Sequence, residues 1–190
     1  MKVLVACEFS GAVRDAFLQR GHSAVSCDLL RSEKPGPHIQ DDVLSHLSEG
    51  WDLMIAFPPC TDLSYANGRY LIEKRKDGRT DRAIEFVRSL REAPIKKMAI
   101  ENPRGELWKK LRRPDQVIEP YQFGDPWKKV TCLWLYNLPR LVPTDIVEPK
   151  GMWVDTGHTK GERGQRNSKK RAITFPGIAD AMATQWGGIR

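Results

Sequence analysis

Residues 3–28, VLVACEFSGAVRDAFLQRGHSAVSCD, read as strand, turn, helix and strand. Residues 3–7 are a short apolar run with two β-branched members, the composition of a buried parallel strand. Phe9-Ser10-Gly11 turns the chain, with Ser10 placed to cap the helix that follows. Val13, Ala16 and Phe17 recur at helical spacing, and Gly21 marks the helix end. Residues 23–27 form a second strand that ends in Asp28. Parallel strands joined by a helix cross over with a right hand.

The alternation continues outward. Residues 39–43 are a short third strand or extended piece, and residues 52–57 (DLMIAF) a fourth strand closed by Pro58-Pro59-Cys60. Residues 79–91 are amphipathic, with Ala83, Ile84, Val87 and Leu90 on one face. Residues 97–100 are a fifth strand, ending at Glu101-Asn102-Pro103, and residues 130–136 (VTCLWLY) another. Residues 174–186 read as a helix with Thr174 as its cap, Pro176 early, Ile178 and Met182 inward and Gly187 as its stop. Residues 137–172 are broken by prolines and glycines and read as irregular. The expectation is one domain over residues 1–190, an α/β fold with a Rossmann-like, doubly wound, mostly parallel sheet.

Composition narrows the function. The 190 residues are 40% hydrophobic and 29% charged, enough apolar material for a core. No apolar run reaches the roughly 20 residues that a membrane span needs, so no membrane partner is expected. The opening MKVLVACEFSG meets Glu8 too soon for a signal peptide, which points to the cytoplasm. Cys7, Cys27, Cys60 and Cys132 contain no CxxC pair, and His22, His38, His46 and His158 are scattered, so neither a disulfide framework nor a metal site is expected. Net charge is +7, but residues 1–66 carry 5 Lys/Arg against 9 Asp/Glu, and residues 67–190 carry 26 against 15. The basic remainder reads either as a surface for a polyanion such as nucleic acid or as solvated helix faces.

In doubly wound sheets ligands bind beyond the carboxyl ends of the strands. The chemically capable residues fall there in order: Glu8 to Gly11, Asp28, Asp42, Pro58 to Cys60, and Glu101 to Pro103. Cys60, in a turn stiffened by two prolines, is a candidate nucleophile; alone, a cysteine at a strand end is more often an inert core residue. A partly desolvated Glu101 can stay protonated and donate to a ring nitrogen, or act as an ordinary ion-pair partner. Asp28 and Asp42 suit ribose hydroxyls, or are loop acids. The turn Phe9-Ser10-Gly11 lets backbone approach a ligand, but one glycine is too few for a diphosphate dinucleotide motif. There is no GxxxxGK[ST] and no GxSxG.

Taken together, these motifs resemble the DNA cytosine-5 methyltransferases. VACEFSGAVRDAFLQRGH (5–22) is similar to that family's cofactor loop and first helix, AFPPCTDLS (56–64) to its Pro-Pro-Cys loop, and AIENPRG (99–105) to its Glu-Asn-Val motif. Gln40 to Val43 resembles its Gly-Asp-Ile segment, and FGDPWKKVTCLWL (123–135) its Gln-x-Arg-x-Arg strand. The resemblance covers about residues 1–136, with a further match near 170–186. It implies a class I methyltransferase type of sheet, S-adenosylmethionine as cofactor and DNA as partner. It makes Cys60 and Glu101 catalytic and puts Phe9, Ser10, Gly11, Asp28, Asp42 and Pro58 at the cofactor. Pro59, Asn102, Arg104 and Lys129 would meet the substrate.

The chain departs from the family in three places. Its cofactor loop has one glycine where the family usually has three. Trp127, Lys129 and Thr131 stand where the family has Gln, Arg and Arg. A target-recognition domain normally precedes the last helix, whereas here residues 137–172 are too few to fold alone, below roughly 40 residues. Residues 150–171, with 7 Lys/Arg against 2 acids, would then grip phosphates, and Trp153 would stack on an extruded base or tuck the loop onto the core. Carbon-5 modification of a free cytidine nucleotide, with a methyl or hydroxymethyl donor, is an alternative. So is a non-catalytic or split-enzyme subunit whose recognition comes from a second protein.

Overall fold

The computed structural model of the chain describes residues 1–153 and 172–189. Its strands are β1 (Lys2–Ala6), β2 (Ser23–Asp28), β3 (His38–Gln40), β4 (Leu53–Ala56), β5 (Lys97–Asn102), β6 (Gln116–Ile118) and β7 (Thr131–Tyr136). Its helices are α1 (Ala12–Leu18), α2 (Leu71–Lys76), α3 (Arg79–Arg91), α4 (Leu107–Lys110) and α5 (Pro176–Gly187). The strands form one mixed sheet in the order β3-β2-β1-β4-β5-β7-β6. β3 to β5 run parallel, and β7 lies antiparallel to both β5 and β6. The expected α/β architecture with a mostly parallel sheet is therefore present. The reversal of β7 was not legible, because a strand buried on both faces reads the same in either direction.

Alternation along each strand sends side chains to two cores. On one face Val3, Val5, Leu53, Ile55, Ala99, Leu133 and Leu135 meet Val13 and Phe17 of α1 and Ile178, Met182 and Trp186 of α5. On the other Leu4, Met54, Ala56, Met98, Ile100 and Trp134 meet Ile84, Val87 and Leu90 of α3, with Val43, Leu47 and Trp51. The helical stripe over residues 79–91 is present with the expected bounds. α5 is tied to α1 through Arg20, whose guanidinium reaches Asp180 (2.6 Å) and Thr184 (2.9 Å). Trp186, fully buried, donates its indole N–H to the Pro139 carbonyl at 2.9 Å.

Several local expectations are corrected. The N-cap of α1 is Gly11 (φ 72), not Ser10, because the chain enters the helix through a left-handed turn. The N-cap of α5 is Phe175, not Thr174, and Asp125 accepts from the Gly177 N–H (2.9 Å) in place of a capping hydroxyl. β3 is His38–Gln40, and Val43 opens a 3-10 turn (Val43–His46) capped by Asp42 instead of continuing the strand. The helices α2 and α4 and the edge strand β6 had no sequence expectation. The described part of the irregular segment, residues 137–153, docks on residues 121–128. Its bonds include Gly124 N–H to Asp145 C=O (2.7 Å) and Trp153 N–H to Lys128 C=O (3.0 Å). The rest of the basic stretch, residues 154–171, lies outside the described residues. Among the described residues no helix is long and apolar enough to cross a membrane.

Candidate active site

The strand order reverses between β1 and β4, which opens a crevice at their carboxyl ends. Two groups of residues sit along it.

The first gathers at the ends of β1, β2 and β3. Cys7 takes a left-handed backbone (φ 58) just past β1, and this turns Glu8 beneath α1. The Glu8 carboxylate, 4% exposed, accepts from the N–H groups of Val13 (2.7 Å) and Arg14 (3.2 Å) and from the Ser10 hydroxyl (3.2 Å). Glu8 thus shares the capping expected of Ser10, whose hydroxyl accepts from the Ala12 N–H at 3.2 Å. Burial pushes its carboxyl up, against those donors and the Arg14 charge. Phe9 and Ser10 are buried, so a ligand in the crevice would meet this turn through its backbone. Asp28 accepts from the Leu30 N–H at 2.8 Å, and Asp42 from the Leu44 N–H at 3.0 Å. Burial and the nearby Asp28 and Asp42 charges all raise the Cys7 thiol. The two acids expected at the cofactor are therefore brought to the same strand end. Beside Asp28, Leu29 and Leu30 are 71% and 44% exposed, an apolar ledge next to a carboxylate.

The second group joins the ends of β4 and β5. Pro58 is buried; Pro59 and Cys60 are exposed, so Cys60 is not the inert core thiol its position alone allowed. The Cys60 carbonyl accepts from the N–H groups of Leu63 (3.1 Å) and Ser64 (2.9 Å), closing a turn. Lys74 Nζ donates to the Thr61 carbonyl and pairs with Asp62 (3.1 Å), while Thr80 donates to the Asp62 carbonyl (3.2 Å). On the β5 side, the Asn102 amide donates to the Pro58 carbonyl at 2.9 Å. Tyr65 N–H meets the Arg104 carbonyl (3.2 Å), and Glu106 N–H meets the Leu63 carbonyl (2.8 Å). A side chain at Gly105 would run into that Leu63 carbonyl. Buried Glu106 is in turn held by Arg75 (2.6 and 3.2 Å). Asn102, expected at the substrate, is buried and spends its amide on the Pro58 loop. The structure thus shows its Nδ2 supporting that loop, while its Oδ1 has no hydrogen-bond partner among the described residues.

Glu101 is half-buried and alternates with Asn102, so it faces the same side of the sheet as Ala99. Burial pushes its carboxyl up, opposed by the charge of Lys129. Lys129 Nζ lies 5.7 Å from the Phe175 ring centre. Phe175 meets Trp153 edge-on at 4.9 Å, and Trp153 meets Trp127 at 5.5 Å. Trp153 therefore tucks its loop onto the core. Arg104 is exposed, with its guanidinium 5.1 Å from the Trp108 ring centre.

The sequence reading missed Glu8 as a cap and Lys74 and Glu106 as anchors of the Cys60 turn. It also missed Arg14, which is fully buried. Arg14 had a signal: it sits three residues before Phe17, on the inward stripe of α1. No family model matches the chain, and no curated protein matches it.

Proposed function

We propose that the protein is a DNA cytosine-5 methyltransferase of the class I type, acting in the cytoplasm with S-adenosylmethionine. The observation that carries this reading is the lacing of the Cys60 turn to the end of β5. It places an exposed thiol and a burial-raised carboxyl at the mouths of adjacent strands. The residues at β1 to β3 fit the cofactor. The N–H groups of Val13 and Arg14 are already spent on Glu8, so neither is offered to a diphosphate. The ledge of Leu29 and Leu30 beside Asp28 suits a nucleoside, with an apolar surface for a base and a carboxylate for ribose hydroxyls.

The chemistry follows from the two side chains. Cys60, as its thiolate, attacks carbon 6 of cytosine, and Glu101 gives its proton to N3. The electron pair moves to carbon 5. When bound, S-adenosylmethionine would supply the electrophilic methyl group that carbon 5 takes, departing as S-adenosylhomocysteine. The carbon-5 hydrogen then leaves as a proton to a base, the carbon–sulfur bond breaks to restore the Cys60 thiolate, and the N3 proton returns to Glu101. Lys129 stands close enough to tune Glu101, and Phe175 and Trp127 form an apolar wall beside it. A cytosine within a duplex has to leave the base stack to reach these groups. The positive charge of residues 67–190 supports DNA as the partner, whether the chain acts alone or with a recognition subunit.

Nucleoside mass spectrometry of DNA incubated with the protein and S-adenosylmethionine tests the proposal. A methylcytosine peak that is absent for Cys60→Ala is the expected result. No product across several DNAs would overturn it.

A further inference from the structure

Arg14 offers five N–H donors, and the structure accounts for each. Nε reaches Asp15 Oδ1 (2.8 Å), Nη1 reaches the hydroxyls of Ser26 (3.2 Å) and Ser32 (3.1 Å), and Nη2 reaches the carbonyls of Lys34 (3.4 Å) and Pro35 (3.0 Å). A guanidinium with no exposed surface and every donor used is a fixed point, not a solvated charge. Its partners span α1, β2 and residues 32–35 of the connection from β2 to β3. Two glycines make room for it: a Cβ on Gly36 would come within 2.8 Å of Cζ, and one on Gly11 would strike Nη2.

The network continues to the carboxyl end of β2. Ser26 Oγ accepts from Arg14, so its own proton is available to His38 Nδ1 at 2.9 Å. In the neutral imidazole this leaves the hydrogen on Nε2, which donates to the Leu30 carbonyl at 2.9 Å. Gln40 holds the neighbouring Leu29 carbonyl at 3.3 Å. The backbone that follows Asp28, and with it the Leu29–Leu30 ledge, is thus clamped from β3, and β3 is clamped through Ser26 from Arg14.

We propose that Arg14 is a positioning residue for the nucleoside end of the cofactor, acting through Ser26 and His38 on Leu29 and Leu30 and through Ser32 on the loop below. The proposal rests on the reading of this crevice as the S-adenosylmethionine site. The residue touches no ligand itself. It preorders a loop of the β2–β3 connection that would otherwise be ordered at the expense of binding.

The test measures S-adenosylhomocysteine binding by calorimetry and thermal stability on the full chain. The variants are Arg14→Lys, Gly36→Ala, Ser32→Ala and, as a control, Arg20→Ala. Arg14→Lys keeps the charge but loses the fork. Gly36→Ala displaces the guanidinium while leaving Arg14 in the sequence, and Ser32→Ala removes one anchor only. Arg20→Ala loosens α1 from α5, away from the crevice. The expected result is a Kd raised roughly tenfold by Gly36→Ala, less by Ser32→Ala, and unrescued by Arg14→Lys, because binding then has to order the loop. Arg20→Ala should lower the melting temperature and leave Kd alone. Wild-type Kd values for Gly36→Ala and Ser32→Ala would overturn the positioning role, as would an equal loss in Arg20→Ala. Failure of the wild-type chain to bind S-adenosylhomocysteine would remove the cofactor reading itself, and the proposal with it.

Discussion

The Asn102 side-chain amide donates to the Pro58 carbonyl at 2.9 Å, and this bond joins the end of β5 to the loop that carries Cys60. β4 and β5 are parallel neighbours, with Ala56 opposite Ile100, so Pro58 and Asn102 lie beyond the last paired residues of the two strands. The bond is buried, and its loss leaves the Pro58 carbonyl without its partner. Asn102→Ala should cost about 1–3 kcal/mol in urea unfolding. It should also lower turnover more than the stability loss explains, because the Cys60 turn drifts from Glu101. Wild-type turnover in a folded Asn102→Ala protein would show that the bond positions nothing.

Gly105 makes a second join. A side chain there meets the Leu63 carbonyl, which already accepts from the Glu106 N–H. Gly105→Ala should destabilise the chain by about 1–3 kcal/mol, the usual cost of overpacking. Thermal unfolding reads the loss, and an unchanged midpoint would contradict the close approach.

Glu101 sets a pH dependence with a defined sign. Burial raises its carboxyl, so the protonated acid persists to higher pH than in an ordinary glutamate. If that proton is the one given to N3, kcat/KM falls by about tenfold per pH unit above the Glu101 pKa. Lys129 lowers that pKa, so Lys129→Met should move the alkaline fall to higher pH. Glu101→Gln should abolish the limb along with most of the rate. A limb that stays put in Lys129→Met would detach Lys129 from Glu101.

In the proposed reading Asp28 carries the ribose end of the cofactor. Its Oδ1 accepts from the Leu30 N–H, and the proposal gives its other oxygen to a hydroxyl of the cofactor. Asp28→Ala should weaken cofactor binding by roughly 10–100-fold, the range for one hydrogen bond to a charged group. Calorimetry with wild-type affinity would take Asp28 out of the site.

Much of this arrangement could be read before the fold was known. The runs at 3–7, 23–27, 52–57 and 97–100 are apolar in the way that buried strands require, and each ends at a residue with chemical capacity. That placed Asp28, Cys60 and Glu101 at one edge of a sheet. The stripe at Ala83, Ile84, Val87 and Leu90 fixed α3. What could not be read depended on partners distant in sequence. The reversed β7 follows from pairing with β5 and β6, which its local pattern does not encode. The capping of α1 by Glu8 needed the left-handed turn at Cys7, a conformation uncommon for a side-chain-bearing residue. The family resemblance put Asn102 at the substrate. Strand alternation sends it to the opposite face, where Pro58 waits. Arg14 drew no reading of its own from the sequence, because its acceptors at 26 and 32–35 gather around it only in the fold.

The most direct test of the account uses DNA in which 5-fluorocytosine replaces cytosine at a methylated site. The final step removes the substituent at carbon 5 as a cation, which hydrogen permits and fluorine does not, so the Cys60–carbon 6 bond should persist. With S-adenosylmethionine present, the wild-type chain is expected to give a protein–DNA species that survives denaturation and whose peptide mass places the link on Cys60; Cys60→Ala should give none. A wild-type chain that methylates ordinary cytosine yet leaves fluorinated DNA unlinked, or a link that persists in Cys60→Ala, would contradict the covalent role of Cys60.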